Sequence, residues 1–193
     1  VEKAVAATGR PVLALGCGRG EWVEFLGEHG IVASGVDLNP VQISEAVAAG
    51  LDVREGDALR ALAEAADDSL AAVTAHHLIE HLPFDTVTWM TREALRALAP
   101  GGVLIYETPN PRNLIVGANT FNIDPTHNRP LPAELLTTLL DTVGYHPVEA
   151  RHLHPSPTRD LVQDEKRADP LIAELLFGPQ DLAVIATKPG EGA

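Results

Sequence analysis

Aromatic, cysteine and basic residues are all scarce in this chain of 193 residues. It contains four phenylalanines, two tyrosines, two tryptophans and one cysteine, and its 14 lysines and arginines are outnumbered by 27 aspartates and glutamates. With a single cysteine, an internal disulfide is excluded. The formal net charge of -13 argues against a nucleic-acid partner, because proteins bind phosphate backbones through clustered lysine and arginine.

Long hydrophobic runs are absent as well. No apolar run reaches the roughly 18 residues that a membrane-spanning helix needs, and the first residues lack the basic and apolar pattern of a signal peptide. We therefore expect a cytoplasmic protein without a membrane span. Its oligomeric state is left open. The length suits one well-buried core, so we expect a single domain over residues 1–193. The chain opens at Val1, so we allow for residues before it.

Three glycines that alternate with other residues follow the first apolar run. Residues 12–15 (Val-Leu-Ala-Leu) lead into Gly16, Gly18 and Gly20, and a helical pattern begins at Glu21. A strand that enters a glycine-rich turn and then a helix forms a pocket for a nucleotide-like ligand, because glycine lacks a Cβ and lets the backbone approach closely. The pattern alone leaves three alternatives: a dinucleotide, an adenosyl sulfonium, or a tight turn without a ligand.

Two acidic residues follow the next predicted strands. Asp37 ends the apolar run 31–36, roughly 20 residues after the glycines, where a carboxylate can accept both ribose hydroxyls. Asp57 and Ala58 come after the predicted strand 51–54. Two carboxylates suit an adenosyl ligand with a positive sulfur better than a ligand with a negative pyrophosphate. The sequence therefore favours S-adenosylmethionine over a nicotinamide dinucleotide.

Short apolar runs alternate with helical patterns along the whole chain. The predicted strands are 12–15, 31–36, 51–54, 70–75, 103–107, 145–150 and 182–187, and the predicted helices are 2–8, 21–28, 41–49, 58–65, 85–98 and 133–142. Such alternation predicts a parallel sheet covered by helices on both faces.

Five motifs, in order, resemble those of the class I S-adenosylmethionine-dependent methyltransferases. They are residues 15–20 (LGCGRG), 36–40 (VDLNP), 55–58 (EGDA), 79–83 (IEHLP) and 98–105 (LAPGGVLI). The resemblance covers most of the chain and implies an α/β, Rossmann-like fold with a mostly parallel seven-stranded sheet, helices on both faces and the final strand reversed. It also implies methyltransferase activity with S-adenosylmethionine as the cofactor.

The same resemblance assigns residues to the two ends of the cofactor. The methionine end would lie against the turn and a histidine after the fourth strand: Gly16, Cys17, Gly18, Gly20 and His76. The adenosine end would contact Asp37 at the ribose, with Leu38, Asp57 and Ala58 at the adenine.

Two stretches show no sustained periodicity. Residues 108–132 hold many asparagines and prolines and form a connection far longer than the median of about 4 to 6 residues. Because long loops at the carboxyl ends of parallel strands carry substrate contacts in α/β proteins, we expect a substrate loop here. Residues 153–170 have a charged centre between prolines and form either a lid or a solvated surface excursion.

Histidines and a glutamate after the fourth strand form a candidate metal site. His77, Glu80 and His81 are spaced i, i+3 and i+4, so one helical turn would place them on one face, with His127 as a fourth ligand from the loop. The set resembles the E-x-x-E-H plus distal histidine of metal-dependent small-RNA 2'-O-methyltransferases, with His77 in place of the first glutamate. Mg²⁺ prefers oxygen ligands, whereas imidazoles suit Zn²⁺ or Mn²⁺ at least as well. The alternative is a metal-free site in which the histidine packs or acts alone.

Residues 106–114 and 122–132 resemble methyltransferase modules of bacterial polysaccharide assembly, and the alanine-rich sequence resembles actinobacterial enzymes that methylate mannosides. This resemblance implies a small glycan as partner and O-methylation of a sugar hydroxyl or of a sugar-linked phosphate. A hydroxyl needs a base during attack, and we expect His127 in that role, helped by Asp124 or Glu107, with His81 as the second choice.

Three other functions stay open. A phenol or quinol acceptor is disfavoured by the scarcity of aromatic residues. A binding module without activity is disfavoured by the complete glycine and acid motifs. An NAD-dependent oxidoreductase is disfavoured because we find no assembled site for hydride transfer.

Overall fold

A seven-stranded sheet organises the residues that the computed structural model describes, 1–160 and 169–190. Its strands are β1 (Val12–Leu15), β2 (Ala33–Asp37), β3 (Val53–Glu55), β4 (Leu70–His76), β5 (Leu98–Pro109), β6 (Val148–Pro155) and β7 (Pro179–Thr187), in the order β3-β2-β1-β4-β5-β7-β6. The pairs among β1 to β5 are parallel, and β7 runs antiparallel to both β5 and β6. The predicted fold is confirmed, including the reversed final strand.

Helices connect and cover these strands. They are α1 (Glu2–Thr8), α2 (Glu21–Glu28), α3 (Pro40–Ala48), α4 (Ala58–Glu64), α5 (Phe84–Ala97), α6 (Leu114–Ala118), α7 (Ala133–Val143) and α8 (Pro170–Phe177), with short 3-10 helices at Ile79–His81 and Thr120–Ile123. Within residues 1–160 and 169–190, none is both long and apolar enough to cross a membrane.

Both faces of the central strands are buried, because neighbouring residues of one strand belong to different clusters. In β1, Val12 and Ala14 pack in a cluster with residues of α2 and α3, whereas Leu13 and Leu15 pack with residues of α4, α5 and α7. Successive side chains of a strand point to opposite faces, so a strand covered on both faces needs an uninterrupted apolar run. Polar groups that act on a ligand are therefore found at the ends of the strands.

The stretch 108–132, predicted as an irregular loop, contains α6 and a 3-10 helix. Asn113 caps α6, because its side-chain oxygen accepts hydrogen bonds from the backbone N–H groups of Ile115 and Val116 at 3.0 and 3.2 Å. The sequence pattern missed this helix since five residues span barely more than one turn and show no period.

The start of β5 also differs from the prediction. The sequence Pro-Gly-Gly at 100–102 was expected to precede a strand at 103, but β5 begins at Leu98. Leu98 pairs with Leu70 and Val103 pairs with Ala72, so the segment between them is a bulge inside the strand. Most of the other predicted elements are present, with ends shifted by up to five residues.

Residues 153–170, expected to be a lid or a surface excursion, are described only in part. β6 continues to Pro155, and α8 begins at Pro170. Asp169 caps α8 by accepting a hydrogen bond from the N–H of Leu171 at 2.8 Å. Residues 161–168, the centre of the predicted lid, lie outside the described residues.

Candidate active site

The glycine turn between β1 and α2 has the conformation that its sequence predicts. Gly16, Gly18 and Gly20 have φ angles of 64°, 56° and 83°, in the left-handed region that glycine adopts without strain. At Gly20 a Cβ would lie 2.8 Å from Leu51 Cδ1. Both the backbone conformation and the available space therefore require glycine there.

A cavity of about 460 Å³ lies over the carboxyl end of β1 and reaches β4 and β5. Its walls include Gly16, Cys17, Gly18, Trp22, His76 and Glu107. Ligand pockets typically measure about 300–1,000 Å³, so the volume suits a small cofactor. A hollow of about 650 Å³ against α1 also touches Trp22, but no residue of the glycine turn lines it. The first cavity is therefore the candidate site because the glycine turn lines it, although the hollow against α1 is larger.

Cys17 packs the glycine turn against β2. A Cβ at Gly35 would lie 2.7 Å from Cys17 Sγ, so the glycine makes room for the thiol. Partial burial, and to a lesser extent the charge of Asp37, raise the pKa of the Cys17 thiol to about 11. The thiol is therefore protonated at neutral pH, which makes it a packing group and not a nucleophile.

The two predicted adenosine acids lie at the carboxyl ends of β2 and β3, where each also has a partner in the backbone. Asp37 Oδ2 accepts from Gly18 N–H at 2.9 Å, and Oδ1 accepts from the N–H of Asn39 at 2.8 Å, which ties the turn to β2. Asp57 caps α4 by accepting from the N–H of Arg60 at 2.9 Å. Next to Asp37, Leu38 is 67% exposed and offers the apolar surface expected of an adenine contact.

His76, at the end of β4, lines the cavity together with Trp22. Their ring centroids are 5.1 Å apart in an edge-on arrangement. Burial lowers the pKa of His76, so the imidazole is neutral at pH 7. The indole Nε1 of Trp22 is buried and has no hydrogen-bond partner among the described residues. Sequence reasoning missed Trp22, although its position in the first turn after the glycines was a signal.

His77 lies among carboxylates and not in one ligand set with His81, which corrects the predicted arrangement. It has a φ of 49° and precedes the 3-10 helix, so no shared helical face forms. Its Nδ1 is 3.3 Å from Glu80 Oε1, and its Nε2 is 3.7 Å from Glu107 Oε1 and 3.8 Å from Asp181 Oδ1. Glu107 first, and then Glu80, raise the pKa of His77 to about 10. With Glu107 and Asp181 it forms a group of possible ligand atoms, separate from the group of His81, within 4.8 Å of one another.

Glu80 is fully buried beneath this turn. Its Oε2 accepts from the hydroxyl of Thr108 at 3.1 Å. Its Oε1 has no hydrogen bond of suitable geometry among the described residues, although His77 Nδ1 is close to it. A buried carboxylate oxygen without a donor is costly, so this atom favours a cation nearby.

His81 and His127 face each other with ring centroids 4.6 Å apart. One ligand atom from each, together with one from Glu80, lie within 4.8 Å of one another. In both imidazoles Nδ1 is engaged: the Nδ1 of His127 lies 2.7 Å from the carbonyl oxygen of Phe121, and that of His81 lies 2.8 Å from Thr126 Oγ1. Nε2 is therefore the nitrogen that each ring can offer to a ligand or a proton.

The loop is fastened to the 3-10 turn beside this pair. Asn128 donates from its backbone N–H to the carbonyl oxygen of Glu80 and from Nδ2 to that of His81, both at 2.7 Å. The carboxylate of Asp124, predicted to assist His127, instead accepts from Thr126 at both its N–H and its hydroxyl. Sequence reasoning did not single out Asn128 or Thr126, because only the folded loop brings them to the turn.

The family model of a methyltransferase domain matches residues 2–163, which is most of the chain. The chain belongs to the S-adenosylmethionine-dependent methyltransferases. The crystal structure of a SAM-dependent methyltransferase from Archaeoglobus fulgidus is 29% identical to this domain, with a TM-score of 0.83 over 93% of this chain and 86% of that one. S-adenosylmethionine is accordingly the cofactor of this family.

Two curated relatives of this methyltransferase add detail. One from Mycolicibacterium smegmatis, named a probable S-adenosylmethionine-dependent methyltransferase, is 34% identical over 141 residues, which are 71% of this chain and 52% of the relative. A ubiquinone biosynthesis O-methyltransferase from Pseudomonas entomophila is 28% identical over 115 residues, 57% of this chain and 49% of that protein. The methyltransferase chain thus spans about half the length of these relatives.

Proposed function

We propose that this methyltransferase transfers the methyl group of S-adenosylmethionine to a hydroxyl oxygen of a sugar, in a mannoside or a related glycan. The observation that carries the proposal is the facing pair His81 and His127, whose Nδ1 atoms are both engaged. Ligand atoms of the pair lie within 4.8 Å of one from Glu80. Glu80 is 3.3 Å from His77, which is 3.7 Å from Glu107 in the wall of the cavity. These contacts support a proton acceptor on the side of the site where β4 and β5 end.

The reaction we infer is an in-line displacement. The acceptor oxygen forms a bond to the methyl carbon while the bond from that carbon to the sulfonium sulfur breaks, which leaves S-adenosylhomocysteine. The hydroxyl proton moves to Nε2 of His127, because the carbonyl of Phe121 holds the proton of the neutral ring on Nδ1. Most of the rate comes from alignment, with oxygen and methyl carbon about 3 Å apart.

The polar surface of the loop supports a sugar acceptor. Asn110 and Asn113 are buried and bind backbone carbonyls, so they hold the loop and leave other residues for the substrate. The exposed polar residues from the start of the loop's 3-10 helix to Thr126 are Thr120, Asn122, Asp124 and Thr126. Such side chains offer both donors and acceptors, which vicinal hydroxyls need for orientation.

A panel of acceptors with methyl-labelled cofactor tests the proposal. Defined mono- and oligosaccharides, including partly methylated mannosides, are incubated with the protein and separated by mass. We expect label in a glycan product. Label in no sugar, together with label in a phenol or quinol, would overturn the sugar assignment.

A quinol or phenol is the second candidate acceptor. It is favoured by the name of the Pseudomonas entomophila relative, a ubiquinone biosynthesis O-methyltransferase. A phosphate linked to a sugar is a further acceptor within the glycan proposal, for which Arg112 at the end of β5 offers a cation. Including a quinol and a sugar phosphate in the panel separates the three.

A divalent metal ion fits the residues at the histidine pair. Both imidazoles have Nε2 left over, and the buried Oε1 of Glu80, 3.3 Å from His77 Nδ1, has no hydrogen bond of suitable geometry among the described residues. Glu80, His81 and His127 would hold the ion, and Nε2 of His127 would then be a ligand and not the proton acceptor. When bound, it would lower the pKa of a hydroxyl and fix its orientation. Two imidazoles with one carboxylate favour Zn²⁺ or Mn²⁺ over Mg²⁺. Activity that is indifferent to excess EDTA would reject metal assistance.

A further inference from the structure

Thr126 lies between Asp124 and His81 on the surface of the loop. Asp124 Oδ1 accepts two hydrogen bonds from Thr126, one from its backbone N–H at 2.8 Å and one from its hydroxyl at 2.6 Å. The Nδ1 of His81 lies 2.8 Å from the same hydroxyl oxygen. These hydrogen bonds join Thr126 to both side chains, and they reinforce the negative charge of Asp124 by lowering its pKa.

The count of protons decides the direction of the hydrogen bond to His81. A threonine hydroxyl has one proton and two lone pairs, and its proton is used on Asp124. The hydroxyl oxygen can therefore only accept from His81, so Nδ1 of that ring is protonated and Nε2 has the lone pair. The structure of the loop thus selects one tautomer of His81.

The two histidines of the pair differ in how they are held. A backbone carbonyl fixes His127, and no side-chain substitution can remove it. A side-chain hydroxyl fixes His81, and the hydroxyl is itself held by a carboxylate. The orientation of His81 is therefore the part of the site that a single substitution can disturb without deleting either imidazole.

We propose that Thr126, held by Asp124, is a positioning residue for methyl transfer, because it presents Nε2 of His81 to the site as a free lone pair. The inference rests on the proposed function and adds a residue to it. It applies to His81 as a second proton acceptor and as a metal ligand, since both roles need the same tautomer. In known metal sites, removal of such an outer partner costs roughly 10- to 100-fold in activity or metal affinity.

The test compares Thr126→Val, which keeps the shape and removes the hydroxyl, with Thr126→Ser, which restores the hydroxyl. Thr138→Val is the matched control, because Thr138 is an exposed threonine of α7 and lies outside the loop. Imidazole ¹⁵N NMR at a pH where His81 is neutral reports its tautomer without substrate or metal. Steady-state kinetics and calorimetry with S-adenosylhomocysteine report kcat, KM and cofactor affinity.

We expect the wild type and Thr126→Ser to show the tautomer with a proton on Nδ1, and Thr126→Val to show a mixture. In Thr126→Val, kcat should fall roughly 10- to 100-fold with cofactor affinity unchanged, whereas Thr126→Ser and Thr138→Val should keep near-normal turnover. An unchanged tautomer in Thr126→Val, or a changed tautomer with unchanged kcat, would overturn the proposal. A wild type that methylates no acceptor would count against the proposed function, while the NMR comparison still decides the tautomer.

Discussion

The imidazole of His127 has a backbone carbonyl beside Nδ1 and a second imidazole next to it, which leaves Nε2 for the base role that we propose. Replacing His127 with alanine should lower kcat roughly 100-fold or more and leave the affinity for S-adenosylhomocysteine nearly unchanged. Methyl-transfer kinetics and calorimetry measure the two quantities. His29→Ala is the control, because His29 lies exposed after the end of α2. Near-normal turnover of His127→Ala would remove the residue from the base role.

Cys17 provides a prediction about pH. Its pKa is raised from the ordinary value of 9.0 to about 11 in the fold, mainly by burial, so the native state binds a proton that the unfolded chain releases first. The contribution to stability is fully present below pH 9 and is lost as the pH rises through 11. Alkylation by iodoacetamide, followed by mass spectrometry, should have its midpoint near pH 11 in the native protein. A native midpoint equal to that of urea-unfolded protein would contradict this.

At the scale of the element, the turn between β1 and α2 can be tested by two alanine substitutions. Gly20 and Gly30 both have positive φ angles, so alanine at either position costs about 1–2 kcal/mol of backbone strain. Only at Gly20 does the new Cβ meet a neighbour, at 2.8 Å from Leu51, whereas at Gly30 nothing lies within 4 Å. The contact is with the end of a flexible side chain, which can turn away from its preferred rotamer, so urea unfolding should show Gly20→Ala to be less stable than Gly30→Ala by about 0.5–1.5 kcal/mol. Equal losses would mean that the turn relaxes around the added methyl.

The elements that were predictable from the sequence are those with a strong hydrophobic period or with glycine or proline at their ends. β1 and α2 have the predicted bounds because an apolar run, three glycines and an amphipathic run mark every boundary. The eight-residue helix α8 was missed although Asp169 and Pro170 form a readable N-terminal signal. The prolines of 153–170 predict an irregular segment, but Pro170 is the first residue of a helix.

The site was predictable where ligands follow consecutive strands, and not where they meet through the fold. The turn glycines, Asp37 and His76 lie at strand ends whose order the sequence gives. The structure groups His77 apart from the other three residues of the predicted metal set, because a residue before a 3-10 helix does not share a face with the residues of the helix. Asp181 was missed as a partner of His77, because it lies at the start of β7. Only the reversed direction of that strand brings its first residues to the carboxyl ends of the others.

At the scale of the whole molecule, cofactor binding should stabilise the entire domain. A ligand that binds only the folded state at 100 times its Kd adds about 2.7 kcal/mol to the free energy of unfolding. In a chain of this length, each kcal/mol of added stability raises the Tm by about 2–4 °C. The Tm should therefore rise by roughly 5–11 °C with saturating S-adenosylhomocysteine. Differential scanning calorimetry measures the shift. NAD at the same concentration is the control, and a shift with NAD alone would contradict the assignment of the cavity.

The position of β7 between β5 and β6 also bears on how the chain is made. β6 ends at Pro155, and β7, its neighbour in the sheet, begins at Pro179. Because the chain is made from its N-terminus, the residues of β6 leave the ribosome before those of β7. In that interval β5 and β6 both expose unpaired backbone edges, which are the surfaces through which nascent chains associate wrongly. Arrival of residues 179–187 joins the two edges and at the same moment delivers Asp181 to the crevice. The same strand therefore completes the sheet and brings Asp181 to His77.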